Sequence, residues 1–198
     1  MKPLKIYYPH KPYSITQKWG NPNSMYKDAG FSFTRHNGVD ANTTRLDWQG
    51  KIVSEYPVFC PVENFTVHTV DFNPKGGGNE IWLVSNEPLI IGDRECHAYI
   101  PIAHAKKVLV KAGDKPALGE LITIADNTGF STGVHTHMGL YRTKYNGMRI
   151  TNYYDVNDAN GSFDPALFFT GEYAVDKASL PTLVKSGLRY YNYLLTGS

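Results

Sequence analysis

Short apolar segments, each bounded by Gly, Pro, Asn or Asp, constrain the fold more than any other feature of the sequence. They cover residues 15–19, 65–72, 81–85, 98–102, 107–110, 121–125 and 133–142. Segments of this length and even spacing are typical of strands in an all-β architecture. An Asn-Gly pair at 146–147, between segments 141–145 and 148–152, predicts a two-residue hairpin turn. We therefore expect a mainly antiparallel β fold.

The C-terminal part of the chain has a helical period instead. Its apolar residues recur on one helical face, and they are Leu180, Leu183, Leu188, Tyr191 and Leu195. Gly197 is a natural stop, whereas the interior Gly187 weakens the helical pattern. We predict a C-terminal helix that packs on the sheet through this apolar face. The 198 residues then form a single domain, 1–170, followed by a helical extension, 171–198, that packs on it.

Composition and charge exclude several classes of function. The formal net charge is +2 and the basic residues are scattered, so we expect no nucleic-acid partner. No apolar run is long enough for stable membrane insertion, and the N-terminal residues lack the apolar run of a signal peptide. Cys60 and Cys96 stand far apart and outside any CxxC motif, which excludes a thiolate zinc site. Their apolar neighbours indicate buried, inert thiols.

Two histidines, His135 and His137, flank one residue inside a strand pattern. Side chains alternate between the faces of a strand, so these two imidazoles point the same way. Val134, Thr136 and Met138 then face the core. Two imidazoles on one face can chelate a metal, or one can bind while the other works beside it. An isolated pair of this kind also arises by chance on a polar strand face, so both interpretations stay open.

A second pair, His36 and Asp40, occurs in the stretch His-Asn-Gly-Val-Asp, where Gly38 permits a sharp turn that brings both side chains to one point. With one histidine of the 135/137 pair they complete a catalytic zinc site, which uses three protein ligands and leaves a fourth position for water. The absence of HExxH excludes a helix-borne zinc protease. Non-haem iron is disfavoured, because its usual triad has a shorter spacing between the first His and the acid.

Over roughly residues 15–142 the chain resembles the lysostaphin-type peptidoglycan endopeptidases, and the phage-encoded variants most closely. The matching stretches are Ile-Thr-Gln-Lys-Trp-Gly at 15–20, the Met-Tyr loop at 25–26, His-Asn-Gly-Val-Asp at 36–40, Ala-His at 103–104, and 119–137, which ends in Asn-Thr-Gly-Phe-Ser-Thr-Gly-Val-His-Thr-His. The chain departs from the usual family pattern at Ala105, Thr136 and Met138-Gly139, where Leu, Leu and Phe-Glu are common.

The resemblance implies a role for each matched residue. His36, Asp40 and His137 would hold Zn²⁺, and His104 and His135 would be catalytic histidines that do not bind the metal. The implied fold is a compact antiparallel β-sheet or sandwich of the lysostaphin type, the duplicated hybrid motif, with the site in a groove. The implied activity is hydrolysis of a cross-bridge or stem peptide of peptidoglycan. Zinc lowers the pKa of its bound water to about 7, which makes that water the nucleophile.

Two other classes of protein remain alternatives. A non-catalytic cell-wall-binding or phage tail module on the same fold would typically lose a metal ligand, and a sugar-transport phosphocarrier would not need Asp40. His10, His68 and His97 are interpreted as structural or surface residues, with His97 a backup for His104. With no signal peptide seen, we expect action on the cell wall as a phage lysin or virion component, or secretion by another route. The peptide bond cut, the oligomeric state and the general base, His104 or His135, stay open.

Overall fold

The computed structural model describes residues 1–43, 45–46, 52–53, 56–147, 150–152 and 161–196. Within these residues the first strands are β1 (Ile6–Tyr8), β2 (Ser14–Gln17), β3 (Gly38–Asn42), β4 (Arg45–Leu46), β5 (Ile52–Val53), β6 (Tyr56–Phe59), β7 (Phe65–Asn73) and β8 (Gly78–Ser85). The later strands are β9 (Leu89–Ile91), β10 (Arg94–Val108), β11 (Leu121–Ala125), β12 (His135–Gly139), β13 (Tyr141–Tyr145), β14 (Ile150–Asn152) and β15 (Phe169–Tyr173). The α-helices are α1 (Ser24–Asp28) and α2 (Leu180–Thr196), and 3-10 turns occupy Pro165–Phe168 and Ala174–Lys177.

An eleven-stranded antiparallel sheet forms the body of the described structure. Its main path runs β14-β13-β10-β12-β3-β2, with β8 and β7 and also β11 and β6 branching from β10. The long strand β10 is the hub, since it pairs with β8, β9, β11, β12 and β13 along its length. The mainly antiparallel β fold predicted from the sequence is therefore confirmed.

Three strand boundaries differ from the sequence-based prediction. Segment 98–102 and the first two residues of segment 107–110 belong to one strand, β10, which ends at Val108, because an extra residue between Ile102 and Ala105 breaks the alternation without ending the pairing. Segment 133–142 is two strands, β12 and β13. Tyr145 pairs with Ile150, so four residues separate the strands instead of the two predicted, and 148–149 lie outside the described residues.

The inward faces of these strands fill a continuous apolar core. Its fully buried members include Val39, Ile81, Ile100, Ile102 and Met138, which come from β3, β8, β10 and β12. The strands that carry the histidine motifs are thus held from behind by close-packed aliphatic side chains. Both cysteines are free and buried, as predicted, and burial raises the pKa of the Cys60 thiol to about 12.

Helix α2 forms where the sequence predicted it, but the face that contacts the sheet is not the predicted one. Thr182, Ser186 and Tyr193 are its buried residues, whereas Leu180 and Leu188 are 74% and 61% exposed. The interpretation that the leucine face packs on the sheet is therefore wrong. Its stop at Gly197 lies outside the described residues.

Polar contacts to one end of β11 explain the orientation of α2. The buried carboxylate of Glu120 forms ion pairs with Lys185 at 2.6 Å and Arg189 at 3.2 Å. The Leu121 N–H donates to the hydroxyl of Ser186 at 2.8 Å. A buried carboxylate must keep its cationic partners, so these contacts orient the helix more strongly than the leucines do.

The C-terminal segment also pairs with the N-terminal strand in a separate two-stranded sheet. Strand β15 pairs in parallel with β1, and the predicted domain boundary between 170 and 171 falls inside β15. None of the helices among the described residues has the combination of length and apolar character needed to cross a membrane.

Candidate metal centre and active-site groove

Pairing of β3 with β12 brings the two histidine motifs together. His137 lies directly opposite Asp40, and His135 lies opposite Asn42. His135 and His137 share one face of β12, whereas Thr136 and Met138 on the other face are buried, as strand alternation predicts. Thus two motifs almost 100 residues apart in sequence become neighbours through the register of one strand pair.

Three potential metal-binding atoms converge at this point. His36 Nε2 lies 3.1 Å from His137 Nδ1 and 3.1 Å from Asp40 Oδ1. His137 Nδ1 lies 2.9 Å from the same carboxylate oxygen. Within the described part of the chain, His36, Asp40 and His137 form a cluster of His, Cys, Asp or Glu side chains that could hold a metal ion.

The donor set fits zinc. Two ligand atoms about 2.1 Å from a tetrahedral zinc ion are about 3.4 Å apart, close to the separations of the three donors here. His36 Nδ1 donates to the carbonyl of Lys18 at 3.1 Å, which leaves the lone pair of Nε2 directed at Asp40 and His137. A backbone carbonyl that fixes the tautomer in this way is a common partner of metal-binding histidines.

Gly38 does not supply the sharp turn that the sequence predicted. It begins β3 in strand conformation and does not belong to the residues with a left-handed φ. His36 precedes the strand and Asp40 lies within it, so their side chains meet through the path of the chain into β3. The expectation of a turn at this glycine is therefore wrong. Its lack of a side chain instead leaves room for the imidazole ring of His137.

The neighbouring imidazoles control the charge of the central carboxylate. Burial alone would raise the pKa of Asp40, but the adjacent imidazoles of His135, His137 and His36 outweigh it and hold that pKa below its usual range. Asp40 is therefore ionised throughout the neutral range. An ionised carboxylate beside two imidazoles is a suitable ligand set for a divalent cation of borderline softness.

His104 reaches the site from a bulge in β10. The bulge lies where the pairing with β8 shifts register, and His104 has a left-handed φ of 63°. Its Nδ1 donates to the carbonyl of Thr128 at 2.8 Å, and its ring centroid is 4.6 Å from that of His135. A bulge re-aims a side chain that the regular alternation would point elsewhere.

His135 stands beside the three donors in a similar arrangement. Its Nδ1 donates to the carbonyl of Gly133 at 2.8 Å, and its Nε2 lies 3.5 Å from Asp40 Oδ1. Burial would lower the pKa of His135, but the hydrogen bond and charge of Asp40 raise it above its usual value. Burial, with the neighbouring His137 and His135, lowers the pKa of His104 to about 4. Two adjacent imidazoles therefore differ in basicity.

A cavity of about 470 Å³ contains all five predicted site residues. One wall is aromatic and is built from Tyr26, Phe31, Phe33 and Phe130, with ring centroids between 5.1 and 6.2 Å apart. The cavity is also lined by residues that the sequence analysis missed, namely Glu80, Trp82 and Tyr141. The sequence segment predicted as the second hairpin strand began only at Ile81, so Glu80 looked like part of a glycine loop.

The remaining histidines lie elsewhere, as the sequence analysis expected. His97 hydrogen bonds to the carbonyl of Ser85 at 2.7 Å and does not line the groove, so it is not an alternative to His104. His10 is fully buried beside Tyr13 and Tyr56. His68 packs its ring against Tyr99.

The fold and the donor set together describe a candidate metal site in a groove on an antiparallel sheet, and similar proteins carry the same fold. No protein-family model matches the chain. An uncharacterized metalloprotease of Haemophilus influenzae is 32% identical over 131 residues, which are 66% of this chain and 22% of that protein. The chain thus spans less than a quarter of that relative's length.

Two solved structures show the same architecture. A zinc-containing peptidase from Vibrio cholerae superposes with a TM-score of 0.53 at 22% identity, covering 79% of this chain and 40% of that one. The catalytic domain of the antimicrobial peptidase lysostaphin from Staphylococcus simulans also gives a TM-score of 0.53, at 21% identity, and covers 79% of this chain and 91% of that one. The chain therefore has the fold of the lysostaphin-type peptidases.

Proposed function

We propose that this chain is a zinc endopeptidase that hydrolyses peptide bonds of bacterial peptidoglycan. The observation that carries the proposal is the convergence of His36, Asp40 and His137, with all three ligand atoms within 4.8 Å of one another, inside a groove that also holds His104 and His135. The likeness to a zinc-containing peptidase and to lysostaphin supports it.

In this proposal His36, Asp40 and His137 hold the zinc ion. When bound, zinc supplies Lewis acidity that makes water a better nucleophile near neutral pH and polarises a scissile carbonyl. The two other histidines carry out the proton transfers. One accepts the proton of the attacking water and passes it to the leaving amine, and the other donates a hydrogen bond to the developing oxyanion.

Backbone carbonyls prepare both of these histidines for their roles. A carbonyl only accepts, so His104 and His135 each carry their proton on Nδ1, towards Thr128 and Gly133. Nε2 is therefore the atom of each ring that takes part in proton transfer: without a proton it acts as a base, and in the protonated ring it donates to the oxyanion. General acid–base assistance of this kind is typically worth about 10²–10⁴ in rate. The groove that holds both rings is also lined by the aromatic cluster and by Trp82.

The cellular setting is part of the same proposal. We place the activity at the cell wall, in a phage-encoded lysin or virion component, on the resemblance of the first histidine motif and its preceding loop to phage proteins. The proposed organisation is a peptidase domain over 1–170 and a C-terminal extension over 171–198, which α2 anchors through Glu120.

Elemental mass spectrometry combined with peptidoglycan digestion tests the function. The purified chain should contain close to one zinc ion, and His137→Ala should lose it. His135→Ala and His104→Ala should keep zinc but lose hydrolysis, because neither residue is a proposed ligand. His68→Ala is the matched control, since that ring lies outside the groove and should change neither measurement.

Three results would contradict the proposal. A chain that takes up no zinc, even after zinc is added back, is not a zinc enzyme. Normal hydrolysis by His135→Ala would remove the assigned role of that histidine. A chain that binds zinc and cell wall but releases no peptide would instead be a non-catalytic wall-binding module.

A further inference from the structure

Glu80 is a buried carboxylate in the wall of the groove without a cationic partner. It is 7% exposed, and its oxygens accept from the Gly77 N–H at 2.9 Å and from Trp82 Nε1 at 2.7 Å. Glu80 takes part in none of the ion pairs formed among the described residues. A carboxylate that is removed from water costs free energy unless a cation or enough hydrogen bonds compensate for it.

The charge of the groove makes this carboxylate stand out. No Lys or Arg belongs to the described residues that line the groove, and its acidic residues are Asp40 and Glu80. A divalent cation on the His36 site neutralises Asp40, so Glu80 then remains as the fixed charge of the groove. Because burial raises the pKa of Glu80, its ionised form gains more from an incoming cation than a solvent-exposed carboxylate would.

Strand register places Glu80 at a defined distance from the metal centre. His137 pairs with Ala103 of β10, and the next strand along is β8, which carries Glu80. Two strand spacings therefore separate Glu80 from His137, or about 10 Å. The strand position between them belongs to Ala103, whose side chain is small and lines the groove.

Ten ångströms suits one long side chain of a bound peptide. An extended peptide advances about 3.3 Å per residue, so this distance is spanned by a residue next to the scissile bond together with a long aliphatic side chain. A side chain that ends in an ammonium group can donate to both oxygens of Glu80, each of which has one lone pair left. The indole of Trp82 beside the carboxylate adds aromatic surface, which attracts cations.

We propose that Glu80 and Trp82 form a subsite that binds a primary ammonium group of the peptide substrate. The inference rests on the proposed peptidase function, because it uses the same groove. It assigns selectivity to the part of the groove that Glu80 and Trp82 line: peptides with an ammonium group about 10 Å from the scissile bond bind better than neutral peptides of equal length.

Calorimetric binding of synthetic stem peptides to the zinc-loaded full chain tests the subsite. The first probe is the N-acetylated tetrapeptide Ala-γ-D-Glu-Lys-D-Ala, and the second is the same peptide with its lysine Nε acetylated. The unmodified ammonium should bind about tenfold more tightly. A third probe carries acetyl-lysine and a free amino terminus, and it shows whether an α-ammonium can take the place of the side chain.

Glu80→Gln should abolish the preference for the ammonium group. Asp71→Asn is the matched control, because Asp71 pairs with Glu80 across β7 and β8 but is exposed and does not line the groove. Equal affinity of the wild-type chain for all three probes, or an unchanged preference in Glu80→Gln, would overturn the proposal. So would an equal loss for every probe, which indicates a structural role for Glu80. Cleavage is measured separately, so a failed peptidase proposal leaves this binding result interpretable.

Discussion

Gly38 lies so close to His137 that a side chain at position 38 would collide with the imidazole. A Cβ there would be 2.7 Å from Cε1 and 2.8 Å from Nε2 of that ring, and 2.5 Å from the carbonyl oxygen of Met138. Real Cβ atoms do not approach other heavy atoms this closely, so the ring or the strand would have to move. The glycine of the first motif thus protects the position of a proposed ligand in the second.

We therefore predict that Gly38→Ala weakens zinc binding by about tenfold or more, since displaced support of a ligand typically costs that much. Overpacking should also lower the free energy of unfolding by about 1–3 kcal/mol. Competition with a chromogenic zinc chelator measures the first effect, and chemical denaturation measures the second.

Gly133→Ala is the control for this change. A Cβ at Gly133 meets nothing within 4 Å. The residue lies two positions before His135, at the start of the second histidine motif. Its zinc affinity should equal that of the wild-type chain. Unaltered zinc affinity in Gly38→Ala would show that the strand pair adapts, and would contradict the steric argument.

His104 should be replaced more easily by glycine than by alanine. Both substitutions remove the imidazole and should abolish hydrolysis, so the difference between them reports only on the backbone. At the left-handed φ of 63° an alanine is strained, whereas glycine is not. We expect His104→Gly to be more stable than His104→Ala by about 1 kcal/mol in chemical denaturation. The reverse order of stability would mean that position 104 does not hold this conformation in solution.

The proposed ligands were accessible to sequence reasoning because short motifs encode them. Alternation along β12 is enough to place His135 and His137 on one face. A single strand pairing, β12 with β3, then brings His137 opposite Asp40. Geometry that arises from several elements at once was not accessible. The bulge at His104 depends on the pairing of β10 with β8, and Glu80 becomes part of the groove only through its register with β10.

Helix α2 shows the same limit. Apolar periodicity predicted the helix correctly, yet periodicity does not reveal which face has a partner. The attachment depends on Glu120, a residue that reads as a turn position in the sequence, and on the two basic residues that α2 directs at it. Tertiary ion pairs of this kind leave no local pattern.

Helix α2 packs on the sheet through the face that carries Tyr193 and not through its leucines, and this leads to a stability prediction. Tyr193 is 4% exposed and packs against Leu121 and Ile124, whereas Leu188 is 61% exposed. Tyr193→Ala should lower the free energy of unfolding by about 3 kcal/mol, as expected for loss of a buried aromatic ring. Leu188→Ala should change it by less than about 0.5 kcal/mol. Urea denaturation followed by tryptophan fluorescence distinguishes them, and a larger effect at Leu188 would favour the leucine face as the packed one.

His10 provides a prediction for pH, at a distance from the metal centre. The side chain is fully buried, its Nδ1 donates to the carbonyl of Pro12 at 2.7 Å, and its Nε2 has no hydrogen-bond partner among the described residues. Burial lowers the pKa of His10 from 6.5 to about 4, despite the opposing effect of the Pro12 carbonyl. A proton on this ring would add a buried charge with no partner at Nε2.

The sign of the pH effect follows from this lowered pKa. Above pH 6.5 the ring is neutral in the folded and unfolded chains, so it contributes no pH dependence. Between pH 6.5 and about 4 only the unfolded chain takes up the proton, so the free energy of unfolding falls with pH by up to about 3 kcal/mol in total. His10→Leu removes this proton uptake while every other histidine stays in place. Denaturation of both chains at several pH values from 7 to 4 should therefore show the wild-type stability falling more steeply, by close to one proton, and parallel curves would mean that His10 titrates normally in the folded chain.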